Sequence, residues 1–272
     1  MINILNQYKN NKAIESLINK DKANIVCADG IIEAILYAAS YKACPSKIVI
    51  LVDTLLDATK LYENITSFID EDNVLFYGTD ESFYLESLST NRDLLYRRIE
   101  TLNALTKKDS YILIMHAASI IRPVTNVVDF KENSINIKVN DTLNPTNLIS
   151  KLFRLGYSFT NKISEPLQFA YRGGVIDVYP LNYPNPIRID FFDDVIDSIR
   201  YFDINTQRRI EDINNVSIIP ATDLMYDEKQ LHNFIEILKR NTIQLKLFFS
   251  INHLLNMFIK MENIKNQQKI EN

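Results

Sequence analysis

The chain has no tryptophan and only five glycines, two cysteines and three histidines in 272 residues, and each shortage closes a line of reading. Two cysteines, Cys27 and Cys44, make neither a disulfide framework nor a four-thiolate metal site, so both thiols are expected to be reduced and buried. The histidines, His116, His232 and His253, stand at no metal-ligand spacing and beside no nucleophile elbow, so no metal and no catalytic residue is expected. His116, at the end of an apolar run, reads as a hydrogen-bonded structural residue. No apolar run approaches the roughly 20 residues of a membrane span, and the amino terminus is too polar for a signal peptide, so the expected location is the cytoplasm. Positive charge is not in excess. Thirty Lys and Arg against 34 Asp and Glu give a net charge of -4, which supplies no general basic footprint for nucleic acid.

What is present is an alternation of strand and helix over the first 125 or so residues. Periodicity predicts helices at 12–19, 31–41, 54–68, 91–106 and 117–121, and strands at 23–28, 47–52, 73–77 and 110–115. Apolar runs without alternation, such as Ile48-Val-Ile-Leu-Val52, predict parallel strands covered on both faces. The fold class is therefore α/β, a doubly wound parallel sheet. In such a fold phosphates bind at the turn after the first strand, where glycines expose backbone N–H groups at a helix start. Here that turn is Cys27-Ala-Asp-Gly-Ile-Ile-Glu33, with one glycine, no Gly-Lys-Ser/Thr, and two carboxylates that repel phosphate. No nucleotide or other cofactor is expected. Arg92, Arg97 and Arg98 fall on different sides of their helix and are balanced by Asp93 and Glu100, so they read as a solvated face.

Past residue 128 the pattern changes to a half-exposed strand at 134–139, a helix at 145–155 opened by Pro145 and capped by Gly156, and a meander. The meander has runs at 175–179, 187–192 and 195–202, the first entered through Gly173-Gly174, a pair that suggests a bulge or a close chain approach. Along the second run, Ile187, Ile189 and Phe191 share one face, and Arg188, Asp190 and Phe192 the other. Phe192 is then either an exposed aromatic beside an arginine, the composition of a protein-binding hot spot, or a side chain packed under a covering helix, and composition favours the second. Whether Arg172 joins that face depends on the strand parity at the glycines. The acids around Asp190 to Asp203 could form a paired-carboxylate site, but in balance with Arg188, Arg200, Arg208 and Arg209 at turns and strand edges they are read as solvated and ion-paired. One further apolar run at 216–219 is followed by expected helices at 228–239 and 245–261 and by a polar tail at 262–272 expected to fray.

These residues carry a resemblance. Phe169-Ala-Tyr-Arg-Gly-Gly-Val-Ile-Asp-Val-Tyr-Pro180, Pro186-Ile-Arg-Ile-Asp-Phe-Phe-Asp-Asp194, Asp197-Ser-Ile-Arg-Tyr-Phe-Asp203 and Thr206-Gln-Arg208 resemble the amino-terminal module of the bacterial transcription-repair coupling factors, Mfd, which is itself similar to part of the excision-repair subunit UvrB. The resemblance covers roughly residues 20–225. It implies a degenerate RecA/P-loop-like domain at 1–128 that has lost nucleotide binding, an inserted small α+β domain at 129–215, and a segment at 216–272 that returns to the first domain. It also implies a non-catalytic protein-interaction module whose partner is UvrA, contacted by Arg172, Arg188 and Phe192, with Arg200 a weaker neighbour. In a longer parent, an ATP-dependent DNA translocase, RNA polymerase and DNA would be further partners. The family's Gly-Glu before the motif phenylalanine is Leu167-Gln168 here. Two other classes stand beside this one: a UvrB-like ATP-dependent helicase subunit, and a nucleic-acid-binding module.

Overall fold

The computed structural model describes residues 11–19, 30–79, 92–121 and 124–225. The strand expected at 23–28, the helices at 228–239 and 245–261, the tail and Cys27 lie outside the described residues. Cys44 is exposed rather than buried; it lies in the short link between a helix that ends at Ala43 and a strand that begins at Lys47.

The amino-terminal elements are α1 (Lys12–Asn19), α2 (Gly30–Ala43), β1 (Lys47–Val52), α3 (Leu55–Thr66), β2 (Val74–Tyr77), α4 (Arg92–Leu105), β3 (Tyr111–His116) and α5 (Ala117–Ile121). The three strands form a parallel sheet in the order β1-β3-β2. Its side chains divide by parity. Ile50, Val74, Phe76, Ile112 and Ile114 pack against Ala34 and Ala38 of α2 and Ala58, Leu61 and Ile65 of α3. Leu75, Tyr77 and Leu113 meet Ile99 and Leu102 of α4. α3 begins where it does because Thr54 is its N-cap, its hydroxyl accepting from the Asp57 backbone N–H at 3.1 Å while donating to the Asp57 carboxylate at 2.7 Å. The expectation that 48–52 is covered on both faces fails for β1. Val49 and Leu51 are 61% and 55% exposed: α4 packs on β2 and on Leu113 of β3, and β1 has only β3 beside it among the described residues.

The chain continues through α6 (Val127–Glu132), β4 (Ile135–Lys138) and α7 (Pro145–Arg154) into β5 (Ser158–Phe159), β6 (Gln168–Arg172), β7 (Val175–Val178), β8 (Ile187–Phe192), β9 (Val195–Phe202) and β10 (Arg209–Asp212), then β11 (Asn215–Ile218). Strands β10-β9-β8-β7-β6-β5 form a six-stranded sheet, antiparallel except for β5 beside β6, and β11 pairs antiparallel with β4. The whole is a mixed α/β fold.

α7 is fixed at both ends by its sequence. The Asn144 side chain accepts from the Thr146 N–H at 2.9 Å, and Pro145 occupies the first turn, where its missing N–H is harmless. At the other end Gly156 takes φ +90, with its N–H on Phe153 O and the Tyr157 N–H on Leu152 O, a Schellman closure. Leu148, Leu152 and Leu155, spaced four and three, then stand on one stripe and are buried on Phe169, Ile176, Val178, Ile187, Ile189, Ile196 and Ile199 of the sheet. Each fully buried leucine of this kind contributes about 1.5–3 kcal/mol. Ile196 and Ile199 both point inward although they stand three positions apart, an odd spacing. The β8–β9 register slips by one at Asp197, a bulge that restores both isoleucines to the core.

Arg98 departs most from expectation. Instead of a solvated face it is 1% exposed, its Nε donating to Asp223 at 2.7 Å and its Nη1 to Gly78 O at 3.0 Å. Arg97 is exposed and lies over the rings of Tyr62 and Phe76, 5.3 and 5.4 Å from their centroids, and Arg92 pairs with Glu165. His116 is a structural residue, fully buried, with Nε2 accepting from the Thr79 N–H at 3.0 Å. Breaking a buried ion pair leaves a charge without its counterion and costs about 3–5 kcal/mol, whereas replacing both partners with apolar groups costs much less. Urea denaturation of Asp223→Ala is therefore expected to show a loss of about 3–5 kcal/mol, most of it recovered in Arg98→Met/Asp223→Leu.

Candidate protein-docking surface

The sheet has a second face, and its residues follow from the registers. Arg172 pairs with Val175, Val175 with Asp190 and Asp190 with Ser198, so these four form one row across the sheet. Ala170, Asp177, Arg188 and Arg200 form the adjacent row. Directly opposed side chains share a face. The parity left open at the double glycine is thereby settled: Arg172 is on the face of Arg188. Gly173-Gly174 is a two-residue hairpin turn rather than a bulge, with Gly173 at φ +56. Gly174 meets the expected close approach, for a Cβ there would sit 2.9 Å from the Phe191 carbonyl oxygen.

Phe192 continues the parity of Arg188 and Asp190, about 13 Å along the strand from Arg188 at 3.3 Å per residue. The expectation that a helix covers it is overturned, since Phe192 is 73% exposed. α7 lies on the opposite face, and on the outward face the buried apolar residues reduce to Ile163, Ala170 and Phe202, with Tyr179 and Ile204 against them. Val195, directly across from Phe192, is 39% exposed.

Two arginines directly opposite each other, Arg188 and Arg200, would repel, and each is instead matched to a carboxylate. Arg188 donates to Asp177 through Nε at 2.6 Å and Nη2 at 2.8 Å, and Nη2 also reaches Gln207 Oε1 at 3.2 Å. Its guanidinium carbon stands 4.5 Å from the centroid of the Phe202 ring. The Asp177 hydrogen bonds raise the Arg188 pKa still further above its ordinary value. Arg200 pairs with Asp190 and donates to Ser198 Oγ at 3.0 Å. Arg172 is exposed and donates from Nη2 to Asn161 O at 2.8 Å, tying the 160–164 loop to the end of β6. The ion pairing expected of the acids around Asp190 to Asp203 holds for Asp190; Arg209 pairs instead with Asp212, outside that stretch. Asp203 closes the 203–207 turn, its carboxyl held below its ordinary pKa by the Thr206 backbone and hydroxyl donors.

Arg172, Arg188, Asp177, Gln207, Asn161 and Lys162 surround a shallow depression of about 460 Å³. Sequence reasoning missed Asp177, Gln207 and Lys162. The first was legible once the two-residue Gly-Gly turn is paired with the β7–β8 register, but the others reach the face only through loops. β6 begins from Leu167 at φ +64, a left-handed conformation at the position where the resembled module has glycine. Leu167 tolerates it with its side chain 7% exposed in the core.

A second depression, of about 650 Å³, lies at the carboxy-terminal end of β1 between the starts of α2 and α3. Its charged lining is Glu33, Asp53 and Asp57 with one cation, Lys60, and such a wall repels phosphate.

Residues 135–224 match the UvrB interaction domain family. The chain is 34% identical over 178 residues to the transcription-repair-coupling factor of Bacillus subtilis (strain 168), an alignment covering 65% of this chain and 15% of that protein. It is 29% identical over 204 residues to the transcription-repair-coupling factor of Staphylococcus aureus (strain bovine RF122 / ET3-1), covering 75% and 17%. With that of Staphylococcus epidermidis (strain ATCC 35984) it is 28% identical over 208 residues, covering 76% and 18%. Over most of its length the chain is similar to the transcription-repair coupling factors. It spans less than a fifth of the length of these relatives. The segment matching the UvrB interaction domain runs from β4 to beyond β11 and contains every residue of the outward face. No helix among the described residues is long and apolar enough to cross a membrane.

The two central side chains differ in what they do for the fold. Arg188→Ala would leave Asp177 unpaired and uncover Phe202, so urea denaturation is expected to show a loss of about 1–3 kcal/mol. Phe192→Ala removes a ring that packs on little and is expected to stay within about 0.5 kcal/mol of the parent chain.

Proposed function

We propose that this chain is a non-catalytic docking module of transcription-coupled nucleotide excision repair that captures UvrA through the outward face of the six-stranded sheet. As part of a coupling factor it would bring UvrA to a stalled RNA polymerase in the cytoplasm. The observation that carries this reading is the uncovered face itself: an exposed aromatic, Phe192, in line with a rigidly held arginine, Arg188, and flanked by Arg172, within a segment matching the UvrB interaction domain. Guanidinium groups on such a face supply charge-assisted hydrogen bonds to carboxylates of the partner. Phe192 supplies the apolar anchor, whose burial contributes about 1.5–3 kcal/mol. Arg200, already matched to Asp190 and Ser198, contributes less.

The same reading makes residues 1–128 a degenerate RecA-like scaffold that has lost its nucleotide, 129–215 the docking domain, and 216–272 the return to the first domain. The acidic lining around Asp53 and Asp57 and the net charge of -4 both weigh against the ATP-dependent and nucleic-acid-binding alternatives. Any motor activity and the contacts with RNA polymerase and DNA would belong to a longer parent.

Calorimetry of the chain with UvrA tests this. Binding is expected, weakened by roughly 2 kcal/mol or more by Phe192→Ala and by Arg188→Ala, and less by Arg200→Ala. Absence of binding by the intact chain, or equal binding by all three variants, would overturn it. ATP is expected to give no heat of binding.

A further inference from the structure

An arginine that must meet a partner carboxylate is more useful if its guanidinium is already in place, because immobilising a long side chain during binding costs roughly 0.5–1.5 kcal/mol. Arg188 is held from three directions. The Asp177 carboxylate takes Nε and Nη2 in a two-point contact at 2.6 and 2.8 Å. Gln207 Oε1 takes Nη2 a second time at 3.2 Å, and the Phe202 ring lies under the guanidinium carbon at 4.5 Å. Gln207 is itself fixed, with φ +60, its backbone N–H on Asp203 O at 2.8 Å and its side-chain amide on Ile204 O at 2.8 Å. Phe202 is 1% exposed. Of the five N–H donors of Arg188, this leaves the two on Nη1, which make no hydrogen bond to another described residue. Arg188 borders the depression that Arg172 and Lys162 close on its other side.

The geometry points to Asp177, with Gln207 behind it, as a positioning residue of the docking surface: it fixes Arg188 so that Nη1 is offered to a single carboxylate side chain of the partner, received between Arg188, Arg172 and Lys162. This rests on the docking role proposed above. It also makes a prediction opposite in sign to simple electrostatics. Asp177 is a negative charge beside the spot where a carboxylate would land, so if it only neutralised Arg188, removing its charge would tighten binding. As a positioning group, its removal loosens binding.

The test uses the 272-residue chain with UvrA as the probe. Asp177→Asn, which keeps the size but takes one acceptor oxygen away, is expected to bind UvrA about tenfold more weakly, and Gln207→Ala about threefold more weakly. In an Arg188→Ala background, Asp177→Asn is expected to have no further effect, a non-additivity that a merely structural contribution would not show. In the free chain, the Arg188 Nε–H resonance of nitrogen-15 spectra is expected to be sharp and slow to exchange, and broadened or lost in Asp177→Asn. Unchanged or tighter binding by Asp177→Asn, or an additive loss in the double variant, overturns the positioning role while leaving the docking role standing. A wild-type chain that does not bind UvrA removes the docking role, and the positioning role with it. A mobile Arg188 in the wild-type free chain contradicts the positioning role alone, whatever the affinity.

Discussion

A sheet has two faces, and a single short helix can bury only one of them. That constraint organises the carboxy-terminal half of this chain. α7 spends its leucine stripe on the isoleucines of β7, β8 and β9, and no second helix among the described residues lies on the other side. The outward face must therefore live with water. It does so by pairing its own charges, Asp177 with Arg188 and Asp190 with Arg200, and by keeping its apolar content to a small cluster around Phe202. Such a face is stable without a partner, and it still presents arginine and phenylalanine side chains whose interaction capacity is not exhausted. Phe192 is the exception to the self-pairing, and its exposure is what turns a solvated sheet face into a candidate interface.

The features that shape the site act at the backbone. The two-residue turn at Gly173-Gly174 sets the β6–β7 register and so places Arg172 in the row next to Arg188. Gly174 accepts the close passage of the Phe191 carbonyl, which holds β8 against the hairpin. The bulge at Asp197 keeps Ile196 and Ile199 in the core without turning the Arg188 face inward. Each of these is local and is sensitive to one or two residues.

Much of this was legible in the sequence, for physical reasons that can be stated. β8 and β9 alternate, or nearly so, and are bounded by turn residues, so their limits and faces are plain in the letters. α7 carries an N-cap asparagine, a first-turn proline and a capping glycine, and its limits follow. What escaped had no local signal. β10 is exposed at all four positions and β5 has two residues, so neither shows a period. The burial of Arg98 depends on Asp223, 125 residues away, and a charged residue among other charges on a helix reads as solvated until its partner is located. β1 reads as a fully covered strand because Val49 and Leu51 are as apolar as their neighbours, yet both are exposed at the edge of the described sheet. The site shows the same division. Alternation alone associates Arg188 with Phe192, while the approach of Asp177, Gln207 and Lys162 depends on register and loops.

The proposed docking role puts UvrA on the outward face of the six-stranded sheet. The most direct measurement is amide hydrogen exchange of the chain with and without UvrA, read by mass spectrometry over the whole sequence. Added protection is expected in peptides covering residues 160–173 and 186–197, with little change at 30–66, around the acidic depression. Protection concentrated at 30–66, or on α7 at the covered side of the sheet, would contradict it.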